Sequence, residues 1–309
     1  MVSLRIIDLD GSVAGQDAVR ARLDDGRAIR VDARDLASRL RIVASRDAQA
    51  ALMRRLAATE ATASAGAPAW FYGSGDFHHV AAMLLQRVSE PVTVVHFDNH
   101  PDWTAFPATV NCGAWVNRAL ENPQVRKVVS IGVSSVDLAR PELGFANLDA
   151  VAAGRIDLYP WRHAPSRVRG RYGDCASFRQ QDRLLHWRQL ADENWGSFLD
   201  GMIAGLPAGA VWLSIDKDVL APSDAFTNWD QGALPLSHLL EAIRRLAAAR
   251  RIIGVDVCGD WSAPRFTDPF RFMLGFFDHP RGVQPTPQAL AINARVNATL
   301  IDCLEEALP

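Results

Sequence analysis

A chain of 309 residues, 49% apolar and 22% charged, has enough material for a large buried core and too little proline and glycine for a disordered or fibrous polymer. Its 33 basic and 35 acidic residues leave a formal charge of −2, so no global field draws it to a phosphate backbone or an acidic membrane. Cys112, Cys175, Cys258 and Cys303 are scattered without a CxxC pair, which argues against a disulfide framework and a structural zinc site.

The opening is interrupted by Arg5, Asp8 and Asp10, no stretch approaches transmembrane length, and the expectation is a cytoplasmic protein with no membrane and no nucleic-acid partner. Residues 1–34 alternate short apolar segments with turns at Asp10-Gly11 and Asp25-Gly26. From Asp35 to Thr59, Leu36, Leu40, Ile42, Leu52 and Leu56 recur at helical intervals, with a break near Ser45, and an Ala/Ser/Gly run follows at 61–67. This predicts an N-terminal embellishment over 1–66, strand-rich then helical, and a catalytic domain over 67–309.

The stretch AWFYGSGDFHHV, Ala69–Val80, reads as an aromatic strand, a Gly73-Ser74-Gly75 turn and a helix running from His79 to Val88. Neither GxxxxGK[ST] nor GxGxxG is present, so the junction is no phosphate loop. Thr93–Phe97 is a buried strand, and Asp98, His100 and Asp102 follow at alternating positions where it gives out into a loop. Two carboxylates flanking an imidazole suit a hard or borderline divalent ion.

Ala114–Leu120 reads as a short helix and Lys127–Val133 as a strand with Ser134, Ser135 and Asp137 at its exit. A middle insertion or lid is expected around 138–205. Within it Ile156–Trp161 forms an edge strand or an aromatic lid, the basic run Arg162–Arg171 forms a solvated loop, and Leu184, Leu185, Trp187 and Leu190 predict a helix over Asp182–Asn194, followed by a second helix or its continuation at Phe198–Ile203.

Ala210–Ile215 is again a buried strand, ending at Asp216 and Asp218. Ser237 is placed as the cap of a helix to Ala249, Arg251–Val257 as a strand, Arg271–Phe277 as a short strand or buried helix, and Thr286-Pro287 as the start of a long amphipathic helix through Leu304. The alternation implies an α/β sandwich with a mainly parallel sheet.

His78, Asp98, His100, Asp102, Asp216 and Asp218 therefore form one hypothesis: a site for two metal ions that lowers the pKa of water and fixes its attack on a planar carbon. The chemistry requires ionised carboxylates and histidines neutral at the coordinating nitrogen. His96 is expected to pack or hydrogen-bond beside its strand. Trp103, Trp115, Trp161, Trp229 and Trp261 fall near the loops, where they serve either core packing or an aromatic-sided pocket for a cationic or extended substrate.

GSGDFHH at 73–79, DNHPD at 98–102 and SIDKDVLAP at 214–222 resemble the GGDH, DAHxD and SxDxDxxDP patterns of the ureohydrolase family, which includes arginases, agmatinases and related amidine hydrolases. The resemblance spans Tyr72 to Asp260. It implies a three-layer α/β/α fold, with the motifs at the carboxyl ends of the strands, and a centre of two Mn2+ ions, other divalent metals being compatible. His78 corresponds to the first-motif histidine with Phe77 inserted before it. Asp98, His100, Asp102, Asp216 and Asp218 match the remaining ligands.

Two positions depart from the pattern. NCGAWVN at 111–117 lacks the loop histidine of guanidine hydrolases, so Cys112 or Asn111 occupies that space; VDVCGDWSAP at 255–264 lacks the late glutamate, leaving Asp260 or Asp256 to supply a carboxylate. Asp98, Asp218, Cys112 and Asp260 are accordingly the catalytic candidates, and His79, Asn111, Trp115, Asp256 and Asp260 the candidates for the surrounding shell or for substrate contact. The implied activity is manganese-dependent hydrolysis of a non-peptide C–N bond in a guanidino or amidino compound. A deacylase or amidase on the same scaffold, or a noncatalytic small-molecule-binding protein, is the alternative. Assembly into a homo-oligomer is compatible with this reading.

Overall fold

The computed structural model describes residues 2–60, 66–266, 268–279 and 284–308. The strands in chain order are β1 (Ser3–Asp8), β2 (Ala28–Asp32), β3 (Pro68–Phe71), β4 (Val92–Phe97), β5 (Val125–Ile131), β6 (Ile156–Tyr159), β7 (Ser166–Arg167), β8 (Phe178–Gln181), β9 (Leu184–Trp187), β10 (Ala210–Asp216) and β11 (Ile252–Cys258). Eight of them form one parallel sheet in the order β2-β1-β3-β11-β10-β4-β5-β6, and β7-β9-β8 form a small antiparallel sheet. Every residue of β4 and β10 is buried, as expected for strands covered on both faces.

The helices are α1 (Asp17–Asp24), α2 (Ala37–Leu40), α3 (Arg46–Glu60), α4 (Val80–Leu85), α5 (Trp115–Ala119), α6 (Leu148–Ala152), α7 (Trp195–Gly205), α8 (Leu236–Ala249), α9 (Pro269–Asp278) and α10 (Pro287–Ala307). Alternate strand residues sort the core into two layers. Val95, Phe97, Leu213 and Ile215 pack with α7, α8 and α10, while Trp70, Val94, Val128 and Leu158 pack with α3, α4, α5 and α6. The result is a three-layer α/β/α sandwich.

The segment expected as an embellishment, residues 1–66, contributes to this sheet directly: β1 is hydrogen-bonded to β2 on one side and β3 on the other. Leu4 and Ile6 are buried on one face and Ile7 on the other. Within 138–205, β6 extends the same sheet, so the edge-strand reading of Ile156–Trp161 holds. The helix predicted over Asp182–Asn194 is instead the second arm of a hairpin. Asp182 turns the chain at φ +54°, Gln181 pairs with Leu184, and Leu185 and Trp187 are buried on one face with Leu184 and His186 less so. The spacing of those leucines fits a helix, but their burial has period two.

Arg271–Phe277 lies in α9, opened by Asp268, whose carboxylate accepts from Arg271 N at 2.9 Å. The cap of α8 is also displaced: it starts after Pro235, and Asp224, not Ser237, accepts from the first-turn Leu236 N at 3.1 Å. Thr286 caps α10 as predicted, accepting from Ala289 N at 3.1 Å. No described helix is long and apolar enough to cross a membrane.

Candidate metal centre

The carboxyl ends of β3, β4 and β10 meet at one point. After β3 the chain turns at Gly73, with φ +94°, and Gly75 sits so close to Asp216 that a Cβ would lie 2.5 Å from its Oδ2. This close approach delivers His78. Its Nδ1 is 3.0 Å from Asp98 Oδ2, 3.2 Å from Asp102 Oδ2 and 3.6 Å from Asp216 Oδ2.

The other nitrogen of His78 has a different partner. Nε2 is 3.0 Å from Ser214 Oγ, Ser214 donates to Asp256 Oδ1 at 2.9 Å, and Asp256 also accepts from Tyr72 Oη at 2.7 Å and Trp212 Nε1 at 2.5 Å. With the serine proton directed at Asp256, the serine oxygen takes Nε2–H, and the lone pair of Nδ1 faces three carboxylates. A lone pair pointed at anions calls for a cation between them, which is the arrangement of a metal-binding imidazole and its outer partner.

His100 repeats the pattern. Its Nδ1 is 3.0 Å from Asp218 Oδ2 and 3.5 Å from Asp98 Oδ1, while Nε2 is 2.9 Å from Asp230 Oδ1. Asp98 therefore faces both imidazoles, one with each oxygen. The donor atoms fall into three overlapping sets, each within 4.8 Å: His78, His96, Asp98 and Asp102; His78, Asp216 and Cys258; and Asp98, His100 and Asp218. Carboxylates and imidazoles in such number fit a pair of divalent cations by donor chemistry.

Neighbouring groups fix each carboxylate. Asp98 Oδ2 accepts from His96 Nε2 at 2.9 Å, Asp102 Oδ2 from Trp115 Nε1 at 2.7 Å, Asp216 Oδ1 from Asp218 N at 2.9 Å, and Asp218 Oδ1 from Asn99 N at 3.0 Å. Asp102 itself adopts φ +48°, which turns its side chain back toward the cluster. Packing so many acids without cations is unfavourable. Burial, then the charge of Asp98, pushes Asp102 up to about 6, and burial, then Asp216 and Asp98, pushes Asp218 well above the carboxylate range. Burial disfavours a charged His78, but Asp102 and Asp98 together raise its imidazole well above the usual value, so that without cations a proton is favoured at Nδ1, the position a metal would otherwise take.

Above the cluster lies a cavity of about 60 Å3, lined by the six ligand candidates together with Gly75, Cys112, Gly113, Asp137 and Trp229. Residues 10–177 match the Arginase family, more than half of the chain. The chain belongs to the arginase family.

Solved structures share the arginase-family fold at low identity. An arginase from Bacillus caldovelox is 17% identical with a TM-score of 0.58, over 97% of this chain and 98% of its own. A formimidoylglutamase from Bacillus subtilis is 12% identical with a TM-score of 0.58, over 98% and 87%. The agmatine ureohydrolase of Thermoplasma volcanium is 12% identical with a TM-score of 0.52, over 99% and 90%. In sequence the chain is 25% identical over 202 residues to an uncharacterized protein of Thermotoga maritima, a match covering 65% of this chain and 59% of that protein's length.

Other predicted residues of this arginase-family site lie at varying distances from the cavity. Trp115 touches Asp102 and places its ring 4.8 Å from that of His78. Cys112 lines the cavity, whereas the neighbouring Asn111 side chain turns to Thr109 Oγ1 at 2.8 Å. Asp256 reaches His78 only through Ser214. His79 is fully buried, neither ring nitrogen has a hydrogen-bond partner among the described residues, and burial, then the charge of His78, lowers it to about 3, which favours the neutral imidazole.

Asp260 does not line the cavity. Its carboxylate takes Lys217 Nζ at 2.8 Å, Gln16 Nε2 at 3.0 Å and Asn297 Nδ2 at 3.0 Å, with Lys217 and Asp260 both buried. This pair holds the Asp216–Asp218 turn from behind. The cavity also takes Asp137, which the sequence reading placed only at the polar exit of β5, and Trp229, one of the tryptophans left open between core packing and a pocket wall; Asp230, Ser214 and Cys258, left out of the site, stand behind the ligands.

Proposed function

We propose that this arginase-family chain hydrolyses a non-peptide C–N bond in a guanidino or amidino compound, using two divalent ions, manganese by family resemblance. His78, Asp98, His100, Asp102, Asp216 and Asp218 would hold them. The observation that carries the reading is that the Nδ1 atoms of both histidines are aimed into the carboxylates while each Nε2 is engaged elsewhere. When bound, such ions supply a water of lowered pKa and balance negative charge developing at the attacked carbon.

The chain's own residues have separate tasks. Asp98 faces both histidines and would keep the two sites together. Ser214 and Asp230 fix the orientation of the imidazoles, and Trp115 that of Asp102. Beyond the six ligands, Cys112 and Asp137 are the titratable groups among the described lining residues, so proton delivery to the departing nitrogen falls to them.

The test is to load the protein with Mn2+ and assay guanidines, amidines and amides for urea, ammonia or amine. Release from guanidines or amidines supports the proposal. Release from amides alone would replace it with a deacylase, and two bound ions without turnover of any compound would favour a binding protein.

A further inference from the structure

The donor sets of the centre differ in chemistry. Asp98, His100 and Asp218 offer oxygen and nitrogen alone, whereas the set of His78 and Asp216 includes a sulfur, that of Cys258. Cys258 ends β11 and stands opposite Asp216 at the end of β10, in a parallel register that turns both side chains to the same face of the sheet. The thiol is wholly buried.

The backbone holds this thiol in place. Gly259, at φ +91°, presses the end of β11 so closely on the turn after β10 that a Cβ there would lie 2.3 Å from Asp216 Oδ1 and 2.5 Å from Lys217 N. The sulfur comes to 3.1 Å from the other oxygen of Asp216, Oδ2, which is also the atom that faces His78 Nδ1 at 3.6 Å. Cys258 thus converges on the oxygen turned toward the imidazole, and not on Oδ1, which accepts from Asp218 N.

Donor spacing and softness decide what this arrangement holds. Ligand atoms about 2.0–2.3 Å from one ion stand about 2.8–3.7 Å apart, whether the angle between them is right or tetrahedral. Both spacings measured from Asp216 Oδ2 fall in that interval, and Sγ, Nδ1 and Oδ2 all lie within 4.8 Å of one another. A hydrogen bond from the thiol accounts for its own approach to Oδ2; a shared ion accounts for the imidazole as well. Thiolate is a soft donor that suits zinc, while Mn2+ is served by carboxylate, carbonyl and water. As the sulfur–metal bond forms, the thiol proton passes to solvent.

We propose, resting on the two-ion reading above, that Cys258 is a ligand of the ion at His78 and Asp216. That position thereby selects a thiolate-binding ion of the zinc class, beyond the general advantage of Zn2+ over Mn2+ at nitrogen and oxygen donors. The position at Asp98, His100 and Asp218 has no sulfur in its donor set among the described residues and carries only the general preference.

Cobalt reports the sulfur directly, because Co2+ takes the place of zinc and a thiolate bound to it absorbs strongly in the near ultraviolet by charge transfer. Co2+ titrated into reduced, metal-free protein should develop that band. Cys258→Ser should abolish it, and Cys112→Ser, altered at the thiol that lines the cavity, should retain it. Serine keeps a hydrogen-bond donor beside Asp216. X-ray absorption of the zinc form of the unaltered protein needs no variant and should read one sulfur at about 2.3 Å. In competition calorimetry Cys258→Ser should weaken Zn2+ at least about tenfold, as much as losing an outer partner costs, and leave Mn2+ affinity nearly unchanged. Cobalt bound without the band, or a band that survives in Cys258→Ser, overturns the assignment and leaves the metal centre standing. No specific binding of Co2+, Zn2+ or Mn2+ contradicts the centre itself, and this ligand with it.

Discussion

Asp260→Asn separates a structural role for this carboxylate from substrate recognition. In the structure Asp260 neutralises the buried ammonium of Lys217, which lies between Asp216 and Asp218, and is 2% exposed at its side chain against 0% for Lys217. The substitution removes the counter-charge and leaves that ammonium with neutral acceptors, the new amide oxygen and Asn297 Oδ1 2.8 Å away. Breaking one side of a buried ion pair costs about 3–5 kcal/mol, mostly for the charge left behind. Unfolding entropy of about 2.1 cal/mol/K per residue, over 309 residues, is about 0.65 kcal/mol/K, so the loss translates into about 5–8 °C of Tm. Calorimetric melting of metal-free protein measures it, alongside KM for cationic guanidines with the loaded enzyme. The expected result is a lowered Tm with little change in KM. An unchanged Tm together with a raised KM would refute the reasoning and return Asp260 to the substrate.

Ser214→Ala removes the acceptor of His78 Nε2 and should weaken Mn2+ binding about 10- to 100-fold by titration calorimetry, the usual effect of losing an outer partner; unchanged affinity would contradict the relay to Asp256. Gly75→Ala places a methyl 2.5 Å from Asp216 Oδ2 and should lower metal occupancy in a protein that still melts cooperatively, so full occupancy would show that the turn yields freely. Affinity for divalent ions should fall as pH falls between about 8 and 6, because protons compete for His78 and His100, both raised well above the usual imidazole range by their carboxylate neighbours. A flat affinity across that interval would mean that neither histidine coordinates.

Much of the centre is legible in the sequence because its ligands come from short stretches at strand ends. Asp98, His100 and Asp102 alternate within five residues after β4, and Asp216 ends β10, the strand beside it, with Asp218 two residues on. The partners that orient them are invisible locally: His100 meets Asp230 across 130 positions, and Trp229 meets Asp76 across 153. Asp260 shows the limit of motif reasoning. Its position after β11 suggests substrate contact, but the fold turns Lys217 and Asn297 onto it. For the same reason β8 and β9 escaped notice, since a four-residue strand with adjacent leucines carries too little periodicity to outweigh a helical count, and the place of β1 and β2 in the main sheet depends on pairing with β3 that no local pattern states.

The most direct test of the central claim is metal stoichiometry of the purified protein after manganese reconstitution, compared with Asp98→Ala and Asp216→Ala. The account predicts about two ions per chain in the unaltered protein, fewer in both variants, and loss of C–N hydrolysis by orders of magnitude. Unchanged stoichiometry in both variants, or no specific binding at all, would contradict it.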